Sequence, residues 1–170
     1  SIARAAKGLV TADNQRFVRE WSEVSWESVG VGYPDRESAK TSGKRWFPYA
    51  KGGEFRRWAG NYESVVNWYD DGREIQTTLT NDGSRVRATN FNLDRIFKRG
   101  LTWTVVTTGG PSFRVADDGF LYDAAAGVLQ SVNELYLLGL LNPVTTTYLL
   151  YRLIQPSPLP PCSSGPSPLP

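Results

Sequence analysis

Residues 62–122 constrain the fold most, because short runs of β-branched and aromatic residues alternate there with turn signals. Such runs, bounded by Gly, Pro and Asp, are typical of strands. The connecting segments are predicted to be a loop at residues 30–43 and a short helix with a loop at residues 73–95. The predicted strands of this β-rich centre are residues 62–70, 101–108, 113–115 and 120–122.

The N-terminal region is predicted to form a strand, a tight turn and a short helix. Residues 9–10 end the strand, and residues 11–14 supply turn and helix-cap residue types. The spacing of Phe17, Val18 and Trp21 places these side chains on one face of the helix.

Residues 134–154 have a composition that is typical of helices. Asn133 is predicted to cap a first helix, which ends at Asn142 because Pro143 disfavours the helical conformation in the residue before it. A second helix follows, which makes a C-terminal helical hairpin. A membrane span needs ~20 apolar residues, and polar residues and Arg152 interrupt this stretch, so no membrane partner is expected. The predicted fold class is α+β.

Residues 155–170 are predicted to be a disordered tail, separate from a folded domain at residues 1–154. They hold seven of the eleven prolines and repeat Pro-Ser-Pro-Leu-Pro. This composition cannot bury a core and favours an extended chain. The alternative is a ligand for a proline-binding domain.

The chain lacks the residues of most independent enzymes. It has no histidine, and its single cysteine is Cys162. These counts exclude histidine-dependent nucleophile pairs, disulfide frameworks and thiolate metal clusters. Asp70-Asp71 and Asp117-Asp118 each precede a glycine, and we interpret them as turn residues rather than as acid–base or metal-binding pairs. No catalytic or metal-binding residues are therefore assigned.

The strongest candidate for a binding surface is residues 44–60, which we call the basic segment. It interleaves five cations with five aromatic residues and one acid, whereas the whole chain has a net charge of only +2. Cations neutralise phosphates, and flat rings can stack beside bases. The alternative is a solvated charged surface. The candidate DNA-contacting residues are Lys44, Arg45, Lys51, Gly52, Gly53, Arg56 and Arg57.

Most aromatic residues of this region are predicted to pack in the core rather than to contact a ligand. A reader of duplex DNA has little use for many exposed rings. The rings predicted to be mostly core are Trp46, Phe47, Phe55 and Trp58, and those assigned to the core outright are Tyr62, Trp68 and Trp103.

Six segments resemble, in the same order, the large adenine-specific DNA methyltransferases of BREX phage-defence systems (PglX-type), which are related to fused restriction–modification enzymes. The resemblance spans about residues 5–155. The matching segments are residues 8–24, residues 44–61 with 65–68 and 71–72, and residues 100–103, 112–114, 119–123 and 137–142.

The resemblance implies a target-recognition domain, which reads double-stranded DNA while a catalytic domain flips out an adenine. The catalytic-domain motifs of that family are a Gly-rich loop that binds S-adenosylmethionine and the sequence Asn-Pro-Pro-Tyr. Neither is found in this chain, where Asn142-Pro143 runs into Val144-Thr145. The implied partners are double-stranded DNA and the methyltransferase catalytic domain. S-adenosylmethionine would serve the parent enzyme only, and the implied location is the cytoplasm.

The same resemblance adds Arg16 and Arg19 as candidate contacts to the DNA backbone. It also contains two departures from the family pattern. Ala12 stands where glycine is usual, so the turn is strained if it needs a positive φ. At Gln155 the proline repeat replaces the family's continuation, so a C-terminally truncated piece is expected. The alternative function is an interaction protein that docks on the methyltransferase without binding DNA.

Overall fold

The computed structural model describes residues 3–89, 91–106 and 110–154, and it confirms the predicted α+β class. The strands are β1 (Arg4–Ala6), β2 (Val18–Glu20), β3 (Trp46–Ala50), β4 (Ser64–Asn67), β5 (Gly100–Trp103), β6 (Phe113–Ala116), β7 (Leu121–Tyr122) and β8 (Val128–Gln130). The helices are α1 (Asn14–Phe17), α2 (Arg36–Thr41), α3 (Tyr69–Thr77), α4 (Glu134–Leu141) and α5 (Val144–Ile154), with 3₁₀ turns at Trp21–Glu23 and Trp26–Ser28. The predicted tail at residues 155–170 lies outside the described residues.

The strands form two four-stranded sheets. The first has the order β1-β8-β5-β6 and is antiparallel throughout, with Leu101 opposite Leu129 and Thr102 opposite Arg114. The second has the order β2-β4-β3-β7, in which β7 runs parallel to β3. Strand β6 is therefore an edge of the first sheet, and β3 lies inside the second.

The second sheet lies at the main hydrophobic core. Phe47 and Tyr49 on β3 are fully buried, and the Phe47 ring meets the Phe97 ring edge-on at 5.3 Å between centroids. Trp68, directly after β4, is buried in the same cluster, as its assignment to the core predicts. Burial of large apolar side chains stabilises the fold by roughly 1.5–3 kcal/mol each, so this aromatic cluster is a principal source of stability.

The N-terminal turn has the capping chemistry that its sequence predicts. The Asp13 carboxylate accepts a hydrogen bond from the Arg16 backbone N–H at 3.2 Å, and the Thr11 hydroxyl donates to Asn14 Oδ1 at 2.5 Å. Ala12 adopts φ 58°, so the predicted strain is confirmed. Left-handed backbone costs a residue with a Cβ roughly 1–2 kcal/mol.

The N-terminal helix is shorter than predicted, and the prediction that it extends to Trp21 was wrong. Helix α1 ends at Phe17, and Val18 begins β2, which pairs with Val66 of β4. Trp21 is exposed rather than on an apolar helical face. A four-residue apolar spacing cannot distinguish a helix from a turn followed by an edge strand, and here pairing with β4 prevails over local helix formation.

Four other segments differ from the sequence prediction. Residues 30–43 contain α2, which Asp35 caps by accepting from the Ser38 N–H at 2.8 Å. Strand β8 was missed, and residues 9–10 make only isolated bridges. The predicted strand at residues 101–108 ends at Trp103, with residues 107–109 outside the described part of the chain.

The paired acids are turn residues, as interpreted from the sequence. Asp70, Asp71 and Gly72 lie within the bounds of α3 but interrupt the helix with left-handed φ of 49°, 58° and 70°. Asp71 accepts hydrogen bonds from Trp68 Nε1 at 3.3 Å and Arg36 Nε at 2.9 Å. Asp118 accepts from the Arg99 backbone N–H at 2.9 Å. Within the described ranges, no three His, Cys, Asp or Glu side chains are grouped to hold a metal ion.

Helices α4 and α5 follow one another on either side of Pro143, as predicted. We call the pair the helical hairpin, although the two helices contact each other only near Pro143. Asn133 occupies the N-cap position of α4, as predicted, but its side chain makes no capping hydrogen bond. Helix α4 instead docks through its other end, where Asn142 is fully buried. None of the helices in the described part of the chain is long and apolar enough to cross a bilayer.

Candidate nucleic-acid interface

Strand β3 divides the basic segment into two parts. Lys44 and Arg45 precede β3, whereas Lys51, Arg56 and Arg57 follow it. At about 3.3 Å per residue, the five-residue strand separates the two groups by roughly 16 Å. The structure therefore brings the cations together in two clusters rather than in one patch.

The cluster before β3 lies beside an open cavity of about 510 Å³. Lys44 Nζ donates to the Glu27 carbonyl at 2.5 Å, and the Arg45 guanidinium lies 5.7 Å from the centre of the Trp46 ring. Arg45 also lines the cavity, together with Arg73 and the acids Asp70 and Glu74. Charges of both signs meet here, so this cavity is not a strongly basic site.

The cluster after β3 lies on residues 51–60, which we call the 51–60 loop. Its backbone is fixed by side chains from outside it: Thr104 Oγ1 donates to the Gly53 carbonyl at 3.2 Å, and Asn61 Nδ2 donates to the Glu54 carbonyl at 3.0 Å. The Trp58 backbone pairs with β6, through Trp58 N–H to Phe113 O at 2.9 Å and Val115 N–H to Trp58 O at 3.0 Å. The loop is therefore a defined structure.

Arg114 supports this loop from inside the protein. The side chain is 1% exposed, and its NH1 donates to the Arg56 carbonyl and to Ser112 Oγ, both at 3.2 Å. Its NH2 donates to Thr104 Oγ1 at 3.1 Å. Among the described residues no carboxylate forms an ion pair with Arg114, and burial lowers the pKa of its guanidinium. Its cationic donors thus hold the loop by its backbone.

The outer surface of the loop presents cations and rings to solvent. Lys51 and Arg56 are exposed, and Arg57 lies 5.1 Å from the centre of the half-exposed Phe55 ring. Arg57 NH2 also reaches Thr147 Oγ1 of α5 at 3.4 Å, and Arg56 lies 4.0 Å from Glu63. These contacts orient the guanidinium groups, of which that of Arg56 is exposed, whereas Arg57 is half-buried and its Nε is fully buried.

The division of the aromatic residues into buried and exposed differs from the prediction. Phe47 is buried, but Phe55 and Trp58 are 43% and 52% exposed, so their assignment to the core is wrong. Tyr62 is also exposed, and its hydroxyl donates a hydrogen bond to the Val115 carbonyl. Of the other rings predicted to be core, Trp46 and Trp103 are only half-buried.

The two glycines of the loop have different surroundings. Gly52 has φ 91° and is buried, and a Cβ there would lie 3.2 Å from the Ala125 carbonyl. Gly53 has φ 120° and is exposed. The close approach at Gly52 is therefore to the protein's own backbone, whereas Gly53 remains accessible from outside.

Arg16 and Arg19 lie away from the 51–60 loop, on α1 and β2. Arg16 Nε donates to Glu74 Oε1 at 3.1 Å, and its guanidinium lies over the Phe17 ring at 5.1 Å. Arg19 NH1 donates to the carbonyls of Gln15 at 2.5 Å and Val18 at 2.7 Å. Both side chains are engaged in holding α1 to its neighbours.

Sequence reasoning missed the residues that position the loop. Asn142 is one of them: Oδ1 accepts from the Phe113 N–H at 3.0 Å, and Nδ2 donates to the Phe113 carbonyl at 2.9 Å. The Asn142-Pro143 pair therefore ties α4 to β6. The position of Asn142, a single polar residue directly after an apolar helix, could have indicated a buried polar contact.

The chain is similar in sequence to a region of two adenine-specific methyltransferases. Over 161 residues, or 92% of this chain, it is 33% identical to the adenine-specific methyltransferase PglX of Lacticaseibacillus casei (strain Zhang). Over 154 residues, or 87% of this chain, it is 35% identical to the adenine-specific methyltransferase BrxX of Escherichia coli O9:H4 (strain HS). These matches cover only 13% and 11% of the two relatives. No family model matches the chain.

Proposed function

We propose that this chain recognises double-stranded DNA as the specificity part of a site-specific adenine DNA methyltransferase in phage defence. The exposed cations on the fixed 51–60 loop are the observation that carries the proposal. The relationship to PglX and BrxX supports a methyltransferase context. Methyl transfer from S-adenosylmethionine belongs to a catalytic domain, which is the expected protein partner in the cytoplasm.

Lys51, Arg56 and Arg57 anchor phosphates in this proposal. Phosphate contacts set the position of a protein on the duplex, and base-edge contacts supply sequence readout. A loop already held by Arg114 and Asn61 loses little conformational freedom on binding, so less of its interaction energy is spent on ordering.

Lys44 and Arg45, at the other end of β3, are a second candidate set of phosphate contacts in this proposal. The separation of roughly 16 Å corresponds to about five base pairs at 3.4 Å per step, so one duplex is long enough to contact both clusters. Arg16 and Arg19 have a lesser role, because protein acceptors already engage their guanidinium groups. Gly53 has no separate role in this proposal, because a Cβ there would lie 3.1 Å from Asn61 Nδ2, so the glycine accommodates Asn61.

Salt-dependent binding of a duplex tests the proposal. For the whole chain and a pool of random-sequence duplexes, log affinity should fall linearly with log salt. The double variant Arg56→Ala with Arg57→Ala should reduce that slope by about 2, at ~0.9 per phosphate contact. The matched control removes two exposed charges elsewhere, Arg85→Ala with Lys98→Ala, and should keep the wild-type slope. Salt-independent binding, or equal effects of both double variants, contradicts the proposal.

A second candidate function is docking on the methyltransferase without DNA contact. An apolar groove of about 340 Å³ between Trp21, Trp26, Tyr62 and Phe120 favours it, since exposed apolar patches mark interaction sites. Co-purification with a full-length PglX-type enzyme after nuclease treatment tests this candidate. Loss of the complex on nuclease treatment would leave DNA as the link between the two proteins.

A further inference from the structure

Trp58 has an unusual backbone conformation for a large side chain. It adopts φ 75°, and the Ala59 N–H donates to the Arg57 carbonyl at 2.9 Å, which closes a three-residue γ-turn around it. The positive-φ form of the γ-turn is rare and strained. Glycine adopts such φ values without steric cost, whereas a bulky residue there is an outlier.

The rest of the protein holds Trp58 in this conformation. Two backbone hydrogen bonds join it to the edge of β6, and Arg114 fixes the backbone two residues before it through the Arg56 carbonyl. Strain that is maintained by several independent contacts clusters at binding sites, where it fixes a side chain in a useful position.

Folding alone does not account for the indole side chain at this position. The ring is 52% exposed, so it contributes only part of the burial that a core tryptophan provides. Directly before it in sequence lie Arg56 and Arg57, and Arg57 covers one side of the Phe55 ring. The strained turn therefore presents a large flat ring next to two cations.

We propose that Trp58 is the residue of this loop that contacts DNA bases, with the indole packed on a base face or wedged at a base step. The proposal rests on the DNA-binding function proposed above and adds a contact that does not depend on phosphate charge. Apolar side chains wedged between base steps, and rings stacked on bases, are established modes of DNA contact. Arg56 and Arg57 hold the adjacent phosphates, which brings the ring to the groove.

The variant Trp58→Gly separates the ring from the backbone strain. Glycine relieves the strain at φ 75° but loses the buried half of the ring, so the two effects oppose each other and the melting temperature of the whole chain should shift by only a few degrees. Affinity for the random-sequence duplex pool should fall about 5- to 150-fold, the loss expected for one stacked ring. The slope of log affinity against log salt should stay at the wild-type value. Trp58→Phe, which keeps a ring, should retain most of the affinity.

Tyr136→Ala is the matched control, since Tyr136 is 70% exposed on α4, outside the residues proposed to contact DNA. It should bind duplexes as the wild type does. Equal affinities of wild type and Trp58→Gly would overturn the proposal and leave the ring as a contact for another protein. A reduced salt slope of Trp58→Gly would also overturn it. Absence of salt-dependent binding by the wild type would instead reject the underlying DNA-binding function.

Discussion

The fully buried Asn142 side chain provides the sharpest test of how the helical hairpin is attached. Its two hydrogen bonds to the Phe113 backbone, at 3.0 and 2.9 Å, cover part of the outer edge of β6. Asn142→Ala removes both bonds. The Phe113 carbonyl keeps the Trp58 N–H as a donor, but the Phe113 N–H loses its acceptor.

The expected loss of stability follows from these contacts. An orphaned buried donor costs roughly 1–3 kcal/mol, and the second hydrogen bond contributes about 0.5–1.5 kcal/mol. Asn142→Ala should therefore lower the free energy of unfolding by about 2–4 kcal/mol. For a chain of this length the melting temperature should fall by roughly 5–15 °C.

Asn142→Asp tests the orientation of the amide as well. At neutral pH it directs a second acceptor at the Phe113 carbonyl, so the loss should equal or exceed that of Asn142→Ala. Burial raises the pKa of such a carboxyl above its unfolded value of about 3.9. A raised folded-state pKa means that the penalty is absent below about pH 4 and grows as the pH rises.

Urea unfolding followed by tryptophan fluorescence measures these differences at several pH values. Asn133→Ala is the control, because the exposed Asn133 side chain makes no capping bond, and it should change stability by less than about 0.5 kcal/mol. If Asn142→Asp is as stable as the wild type at pH 7, the inferred amide orientation is wrong.

Three further predictions concern the turn, the loop and the core. Ala12→Gly should stabilise the chain by up to about 1 kcal/mol in urea unfolding, because φ 58° suits glycine, whereas Ala39→Gly within α2 should destabilise it. Arg114→Met should speed tryptic cleavage after Arg56 and Arg57 about tenfold or more, since a hydrogen bond from a charged group contributes roughly 1.5–3 kcal/mol; unchanged cleavage would contradict the supporting role of Arg114. Burial, reinforced at Tyr49 by Asp123, raises the pKa of Tyr49 and Tyr122 above the ordinary value near 10, so their stabilising effect should be present below pH 10 and lost above it. Absorbance at alkaline pH should therefore show these two phenolates only as the circular dichroism signal is lost, and earlier ionisation would contradict their burial.

Local chemistry made much of the fold predictable. Glycines after paired acids, a capping aspartate and a proline between apolar helices each act within a few residues, so the turns and the hairpin could be identified from sequence. Strand β8 could not, because Val128–Gln130 carries little pattern of its own and pairs with partners far along the chain. Likewise, Trp21 sits at a helical spacing that pairing of β2 with β4 overrides.

The candidate site was predictable in composition but not in arrangement. Interleaved cations and rings identified the basic segment. Its division at β3 depends on which part of the segment enters the sheet, and the burial of Phe47 and exposure of Trp58 depend on contacts with β4 and β6. Arg114 has no local signal of its supporting role, since its acceptors at Arg56 and Thr104 are distant in sequence.

The Phe113 carbonyl accepts hydrogen bonds from both Trp58 N–H and Asn142 Nδ2. Because one acceptor serves the 51–60 loop and the hairpin, the two should open together as one cooperative unit in hydrogen exchange. A ligand that binds only the closed loop, present at 100 times its dissociation constant, would stabilise that unit by about 2.7 kcal/mol. Ligand binding to the loop should therefore slow amide hydrogen exchange in α4, although the ligand does not contact that helix.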